Sequence, residues 1–235
     1  MKKILLKLSG ESLGKSGVET RSLERTANEI AQASKSASIA IVIGGGNIWR
    51  FRDNKNLTSL PRIESDYLGM LATVFNATTL KAALKKMKVR VETFSTVTAP
   101  KEIIKPYQIS AVQKFLTKKG VVILAGGTGK PFVTTDSGAA LRAKELKCDL
   151  LVKATNVNGV FNKNPRDNKN AKLLKALDYK TVLQKKFGVM DLKAFQILAK
   201  NKIPISIFNF AKKGLLKKAV EGKNGCPNWA KNGQK

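Results

Sequence analysis

Apolar residues along this chain fall into two alternating kinds of segment. Short, nearly continuous runs such as Ile39-Ala40-Ile41-Val42-Ile43 read as strands covered on both faces. Between them, apolar positions recur at helical spacing, as Leu23, Ala27, Ile30 and Ala31 do with polar residues opposite. The pattern predicts strands near residues 3–9, 38–43, 89–94, 120–125, 149–154 and 203–208. It predicts helices over 22–35, 64–86, 108–118, 136–147, 179–187, 191–202 and 212–221. Strands alternating with helices specify an α/β fold, a three-layer α/β/α sandwich around a mostly parallel central sheet. Helix 64–86 departs from the ordinary pattern. Leu68, Leu71, Ala72 and Phe75 form one apolar stripe, and Met70, Val74 and Ala77 form a second. A helix apolar on two sides needs two covers. A partner subunit is the natural second one, with a further layer of the same monomer as the alternative.

The polar stretch Asn162 to Asn170, with Pro165 inside it, reads as an exposed loop. After Gly222 the periodicity stops, so residues 1–222 form the expected domain and 223–235 a basic, loosely ordered tail. Composition adds a charge problem. Forty-four Lys and Arg against sixteen Asp and Glu give a net charge of +28, which attracts polyanions without specificity. Most of these cations are lysines on polar helix faces, and aromatics are only 6% of the chain, so the stacking surfaces of a dedicated single-strand groove are missing. Nucleic-acid binding is therefore expected to be non-specific at most. Cys148 and Cys226 share no metal-ligand or redox spacing and fit reduced thiols of a cytoplasmic protein. Lys7 interrupts the apolar start too early for a signal peptide, and no run approaches the ~20 apolar residues of a membrane span. Histidine is absent, which removes Ser-His-Asp and Cys-His catalysis.

Three glycine-bearing segments follow strands. They are Lys7-Leu8-Ser9-Gly10-Glu11, Gly44-Gly45-Gly46-Asn47 and Gly126-Gly127-Thr128-Gly129-Lys130-Pro131. Residues without Cβ let backbone N–H groups approach an anion, and the carboxyl edge of an open sheet is where such folds bind ligands. Tight turning accounts for any one of them; three on one edge favour phosphate. Neither the Walker loop nor the dinucleotide fingerprint fits, since Leu124 and Pro131 break the first and Ile48 and Trp49 the second. Lys7, late in strand one, can reach a transferring phosphoryl group. Thr134, Thr135 and Asp136 open an apolar-periodic helix whose start can cap itself or accept an anion. Phosphoryl transfer suits this inventory, because a phosphate acceptor is already ionised and needs no base. Asp136 and Asp191, near helix starts, are candidates for organising Mg²⁺ directly or through water, or for capping.

The assembled set resembles the amino acid kinase superfamily and, within it, the bacterial uridylate (UMP) kinases. The resemblance rests on the three segments above, on Asp66-x-x-Gly69-Met70-Leu71-Ala72-Thr73-Val74, on Phe132-x-Thr134-Thr135-Asp136 and on Val189-Met190-Asp191-Leu192. It implies transfer of a phosphoryl group from ATP to UMP, with Mg²⁺, in pyrimidine nucleotide synthesis. By the same resemblance Lys7, Leu8, Ser9, Gly10 and Gly46 cradle the ATP phosphates, and Lys7 and Lys153 stabilise the transferring group. Gly45 and Arg50 hold the acceptor phosphate region, with the ATP side open to Arg50 as well. Asp66 is the ribose ligand. Thr128, Gly129, Lys130, Pro131, Phe132, Val133, Thr134 and Thr135 embrace UMP, and Thr155, Phe161 and Asn164 belong to the adenosine pocket. A dimer-based homohexamer is also implied. Three positions depart from the family pattern: Lys130 stands where Asn is common, and Asn158 and Asn164 where Asp is usual. Two other readings remain: a related kinase acting on a carboxylate or carbamate, and a basic nucleic-acid-binding protein on a kinase-like fold.

Overall fold

The computed structural model describes residues 1–51, 60–157, 159–162, 168, 170–174, 177–185, 187–222 and 228–231. Its first half runs β1 (Lys3–Leu8), a 3-10 turn (Gly10–Ser12), α1 (Thr20–Ser34), β2 (Ser38–Ile43), α2 (Arg62–Lys86), β3 (Val91–Ser95), β4 (Lys105–Pro106), α3 (Ile109–Leu116) and β5 (Val121–Ala125). There follow α4 (Thr135–Glu145), β6 (Leu150–Thr155), β7 (Val160–Phe161), β8 (Leu173–Leu174), β9 (Leu177–Asp178), α5 (Tyr179–Lys185), α6 (Leu192–Lys200), β10 (Ile205–Asn209), α7 (Leu215–Glu221) and β11 (Asn228–Lys231). Nine strands make one sheet in the order β4-β3-β5-β2-β1-β6-β10-β11-β9, parallel except where β11 meets β10; β7 and β8 form a separate antiparallel ribbon.

The continuous apolar runs are the central strands because both of their faces are covered. Ile39, Ile41 and Ile43 of β2 pack with Ile30 of α1, Leu80 of α2 and Leu216 of α7. Ala40 and Val42, on the other face, pack with Val112 of α3, Ala139 of α4, Val182 of α5 and Phe195 of α6. Two apolar cores thus separate three layers, and every one of the six predicted strands and seven predicted helices is present within a few residues of its expected place. Gly214, at φ 77°, delays the start of the last helix to Leu215.

Register matters most at the centre. In β1, Lys7 lies beside Val42 of β2 on one side and Lys153 of β6 on the other. Two ammonium groups are therefore fixed next to each other at the carboxyl edge.

Two expectations change. The chain after Gly222 is not simply a loose tail: the backbone of Asn228–Lys231 forms β11, hydrogen-bonded between β10 and β9. In α2, Ala72 belongs with the inward face, buried like Met70 and Ala77. The outward stripe consists of Leu68, Leu71 and Phe75 together with Ile63 and Tyr67, with Leu71 49% and Phe75 59% exposed. No layer of the described monomer covers this stripe. No helix among the described residues is long and apolar enough to cross a membrane.

Candidate functional site

The loops that follow β1, β2, β5 and β6 meet on one edge of the sheet and enclose two adjoining cavities. The larger, about 660 Å³, is walled by Gly10, the Gly44-Gly45-Gly46 turn, Asp66, Thr128 and Thr135 among others. The smaller, about 280 Å³, is walled by Lys153, Thr155, Asn156 and Gly188. Lys7, Ser9 and Glu11 line both, so the carboxyl end of β1 is the party wall.

Close backbone approach explains the glycine turn after β2. A Cβ at Gly45 would lie 2.5 Å from the Gly69 carbonyl oxygen and 2.8 Å from the Ala72 Cβ, so α2 rests directly on this peptide. The contact is locked by a pair of buried amides. Asn76 Nδ2 donates to the Gly44 carbonyl at 2.8 Å and to Asn47 Oδ1 at 2.7 Å, while Asn47 Nδ2 donates to the Gly17 carbonyl at 2.7 Å. Arg50, at the end of the same turn, pairs with Glu11, the carboxylate common to both cavities.

Lys7 and Lys153 share one counter-ion. Lys7 Nζ stands 3.1 Å from Asp136 Oδ1, and Lys153 pairs closely with Asp136 Oδ2. Burial pushes the Lys153 ammonium below its ordinary pKa, the neighbouring Lys7 charge pushes the same way, and Asp136 opposes both. Asp136 does not cap its helix; Thr134 does, accepting from the Ser137 N–H at 3.0 Å. Asp191 caps α6, accepting from the Ala194 N–H at 2.8 Å, and also accepts from the hydroxyls of Ser137, at 2.8 Å, and Thr134. Burial alone would raise the Asp191 pKa; the hydrogen bonds from Thr134, Ala194 and Ser137, with the Lys153 charge, outweigh it and leave the carboxyl below its usual value. These contacts lash the amino ends of α4 and α6 together, so two positive helix-dipole ends face the same wall. Among the described residues no three His, Cys, Asp or Glu groups gather into a cation site.

The far wall of the larger cavity is the loop after β5. Gly126 and Gly127 hold φ of 74° and 58°, a conformation that favours glycine. Thr73 accepts from the Gly126 N–H at 2.7 Å and the Thr96 hydroxyl donates to the Gly126 carbonyl at 2.7 Å. Farther along, Asp66 accepts from the Phe132 N–H at 2.7 Å and pairs with Arg62 at 2.9 Å. Asp66 therefore faces the cavity while bridging α2 to this loop.

The structure brings most of the expected residues together. Lys7, Ser9, Gly10, Gly45, Gly46, Arg50 and Asp66 reach the larger cavity, as do Thr128, Lys130, Val133, Thr134 and Thr135. Lys153 and Thr155 reach the smaller one. Leu8 does not contribute its side chain, which is fully buried in the core. Gly129, Pro131 and Phe132 share the loop after β5 but do not line the cavity, and Phe161, in β7, lies in neither wall. Asn158 and Asn164 lie outside the described residues. Sequence reasoning missed Asn76 altogether and gave Thr73, named only within a motif, no supporting role. Their signal was present, as polar residues on an otherwise apolar, buried helix face.

Comparison with known proteins gives a consistent picture. The amino acid kinase family model matches residues 2–209. The uridylate kinase of Rickettsia canadensis is 40% identical over 226 residues, 94% of this chain and 93% of that protein. The chloroplastic uridylate kinase PUMPKIN of Arabidopsis thaliana is 39% identical over 227 residues, 94% of this chain and 66% of that protein. Among solved structures, the UMP kinase from Bacillus anthracis superposes with a TM-score of 0.90 at 31% identity, covering 97% of this chain and 94% of its own. The UMP kinase from Ureaplasma parvum does so at 0.91 and 30%, covering 98% and 99%.

Gly45→Ala is expected to wedge α2 away from the β2 turn and to cost about 1–3 kcal/mol, the usual range for overpacking. Urea unfolding measures it; an unchanged midpoint would mean that α2 does not rest on this peptide.

Proposed function

Because the chain belongs to the amino acid kinase family, we propose that it is a UMP kinase, moving the terminal phosphoryl group of ATP onto the phosphate of UMP to give UDP and ADP. The observation that carries this reading is the pair of cavities meeting at Lys7. One site for each nucleotide, sharing a cationic wall, is what direct transfer between two anionic substrates requires. The larger cavity lies within the usual size range of small-molecule sites and takes UMP. The smaller takes the phosphate chain of ATP, with Thr155 in its wall, and Phe161 and Asn164 are assigned to the adenosine by family resemblance.

In this reading the acceptor phosphate lies over Gly45 beside Arg50, with Gly46 turned to the ATP phosphates, and the ribose hydroxyls of UMP reach Asp66. Thr128 to Thr135 close over the base. An oxygen of the UMP phosphate attacks the terminal phosphorus of ATP, and the bond to the ADP oxygen breaks. Negative charge accumulates on the three oxygens in flight, where Lys7 and Lys153 stand. No general base is needed, which accommodates a chain without histidine. Asp136 aims the two lysines and opposes loss of the Lys153 proton. Mg²⁺ belongs to the reading as a companion of the ATP phosphates, where it would neutralise charge; among the described residues no three acidic groups gather to hold it alone. The uncovered stripe of α2 is the contact between two copies, and a dimer-based hexamer in the cytoplasm completes the proposal.

ADP release measured with UMP, CMP, glutamate, N-acetylglutamate, aspartate and carbamate tests the assignment. UMP should be the preferred acceptor, and turnover of a carboxylate or carbamate in its place would move the enzyme to another branch of the family. Lys7→Ala should lower kcat by roughly 10²-fold or more, as loss of a charge-stabilising group does, whereas Asp66→Ala should chiefly raise the KM for UMP. Near-normal kcat in the first or an unchanged KM in the second would reject the respective role. Asp136→Asn removes the anion that holds up the Lys153 pKa. Activity that depends on the Lys153 cation declines as pH rises, so in the variant this decline should begin at a lower pH. A coincident alkaline limb would argue that Lys153 is not needed charged. Leu71→Asp should lower the species mass seen by light scattering, and an unaltered mass would place the subunit contact elsewhere.

A further inference from the structure

Arg142 is one of the few buried cations among the described residues: it is 5% exposed, on the last turns of α4. Its Nη2 donates to the Gly127 carbonyl at 3.1 Å and its Nη1 to Glu145 Oε2 at 2.5 Å, while the guanidinium carbon sits 4.0 Å from the centre of the Tyr107 ring. The Tyr107 hydroxyl donates to the same Glu145 oxygen at 2.7 Å, and the Tyr107 backbone N–H donates to the Ser95 carbonyl at 2.7 Å. Nε has no partner among the described residues, so this burial is not fully compensated within the core.

We propose that Arg142, held by Glu145 and Tyr107, is the positioning residue that sets the acceptor loop for UMP. The inference rests on the reading of the larger cavity as the UMP site. The Gly127 carbonyl belongs to the peptide that leads into Thr128, a wall residue of that cavity. Gly126 and Gly127 have no side chains to fix their peptides, so the orientation of Thr128 depends on what grips the backbone. Thr73 and Thr96 grip Gly126 from α2 and from the segment after β3. Arg142 grips Gly127 from α4, whose first turn carries Thr135 and Asp136. One rigid helix thereby fixes both the loop that closes over the base and the residues beside the transferring phosphate, so the two ends of the acceptor are placed relative to each other. A planar guanidinium can serve the carbonyl and the carboxylate at once with its face on an aromatic ring; a lysine cannot.

Arg142→Lys is the test, with Tyr107→Phe as a milder second variant that removes only the hydroxyl link to Glu145. Arg142→Lys should raise the KM for UMP about tenfold, the scale of a hydrogen bond to a charged group, with the KM for ATP unchanged and kcat altered less. Tyr107→Phe should move the same constant in the same direction by a smaller factor. Amide hydrogen exchange on the unliganded protein should be faster at 127–130 in both variants and unchanged in β6. Unaltered exchange at 127–130, or equal rises in both KM values, overturns the proposal. If the wild-type enzyme does not use UMP, the functional reading fails, and the exchange measurement still decides whether Arg142 holds the loop. Should Arg142→Lys not fold, Tyr107→Phe carries the same readouts.

Discussion

The arrangement of this site depends on a single carboxylate set between two ammonium groups. Parallel pairing of β1 with β6 forces Lys7 and Lys153 into adjacent register positions, and burial makes their proximity costly. Like charges repel more strongly the closer they stand and the less water separates them. Asp136 contacts both and turns that repulsion into a bridged pair. It can do so because α4 begins where it does: Thr134 caps the helix, and Asp191 at the start of α6 holds Thr134 and Ser137. The position of the lysines thus depends on the junction of two helix ends, and the two cavities are defined by where those lysines stand.

Glycine serves the two sides of the larger cavity differently. At Gly45 the backbone is pressed against α2, and what matters is the missing Cβ. At Gly126 and Gly127 the need is for positive φ, which leaves peptides that only their hydrogen-bond partners can orient. A wall of the first kind is rigid by packing. A wall of the second kind is as rigid as the groups that grip it, so polar residues behind the loop matter as much as those that line it.

Much of this was legible in the sequence, and the failures have a common physical cause. The strands and helices could be read because a three-layer fold imposes long periodic signals: Ile39, Ile41 and Ile43 must alternate with Ala40 and Val42 between two cores. The glycine segments could be placed on one edge because each follows a parallel strand. Two-residue strands such as β4 and β7 carry no periodicity, and β11 pairs in a stretch whose polar, lysine-rich composition gives no strand signal. Ala72 is small enough to fit either stripe of α2, so its side was decided by contact with Gly45. Leu8 falls within a phosphate-binding segment, yet strand alternation turns its side chain into the core. Asn76 and Arg142 could be seen as polar residues in apolar-periodic helices, but their partners lie 32 and 15 positions away, across turns that spacing rules do not connect.

The absence of histidine shapes the pH response of such a site. An enzyme that activates its nucleophile with imidazole gains a group titrating near neutrality; a phosphate acceptor brings its own charge and makes that group unnecessary. Sensitivity to pH then moves to whichever cation is least comfortable. Here that is Lys153, whose burial and like-charged neighbour favour loss of its proton and whose attraction to Asp136 resists it. The same carboxylate that organises the geometry therefore also opposes loss of the Lys153 proton. Its two effects are inseparable, since the ion pair that fixes the position of the Lys153 ammonium is also what keeps it protonated.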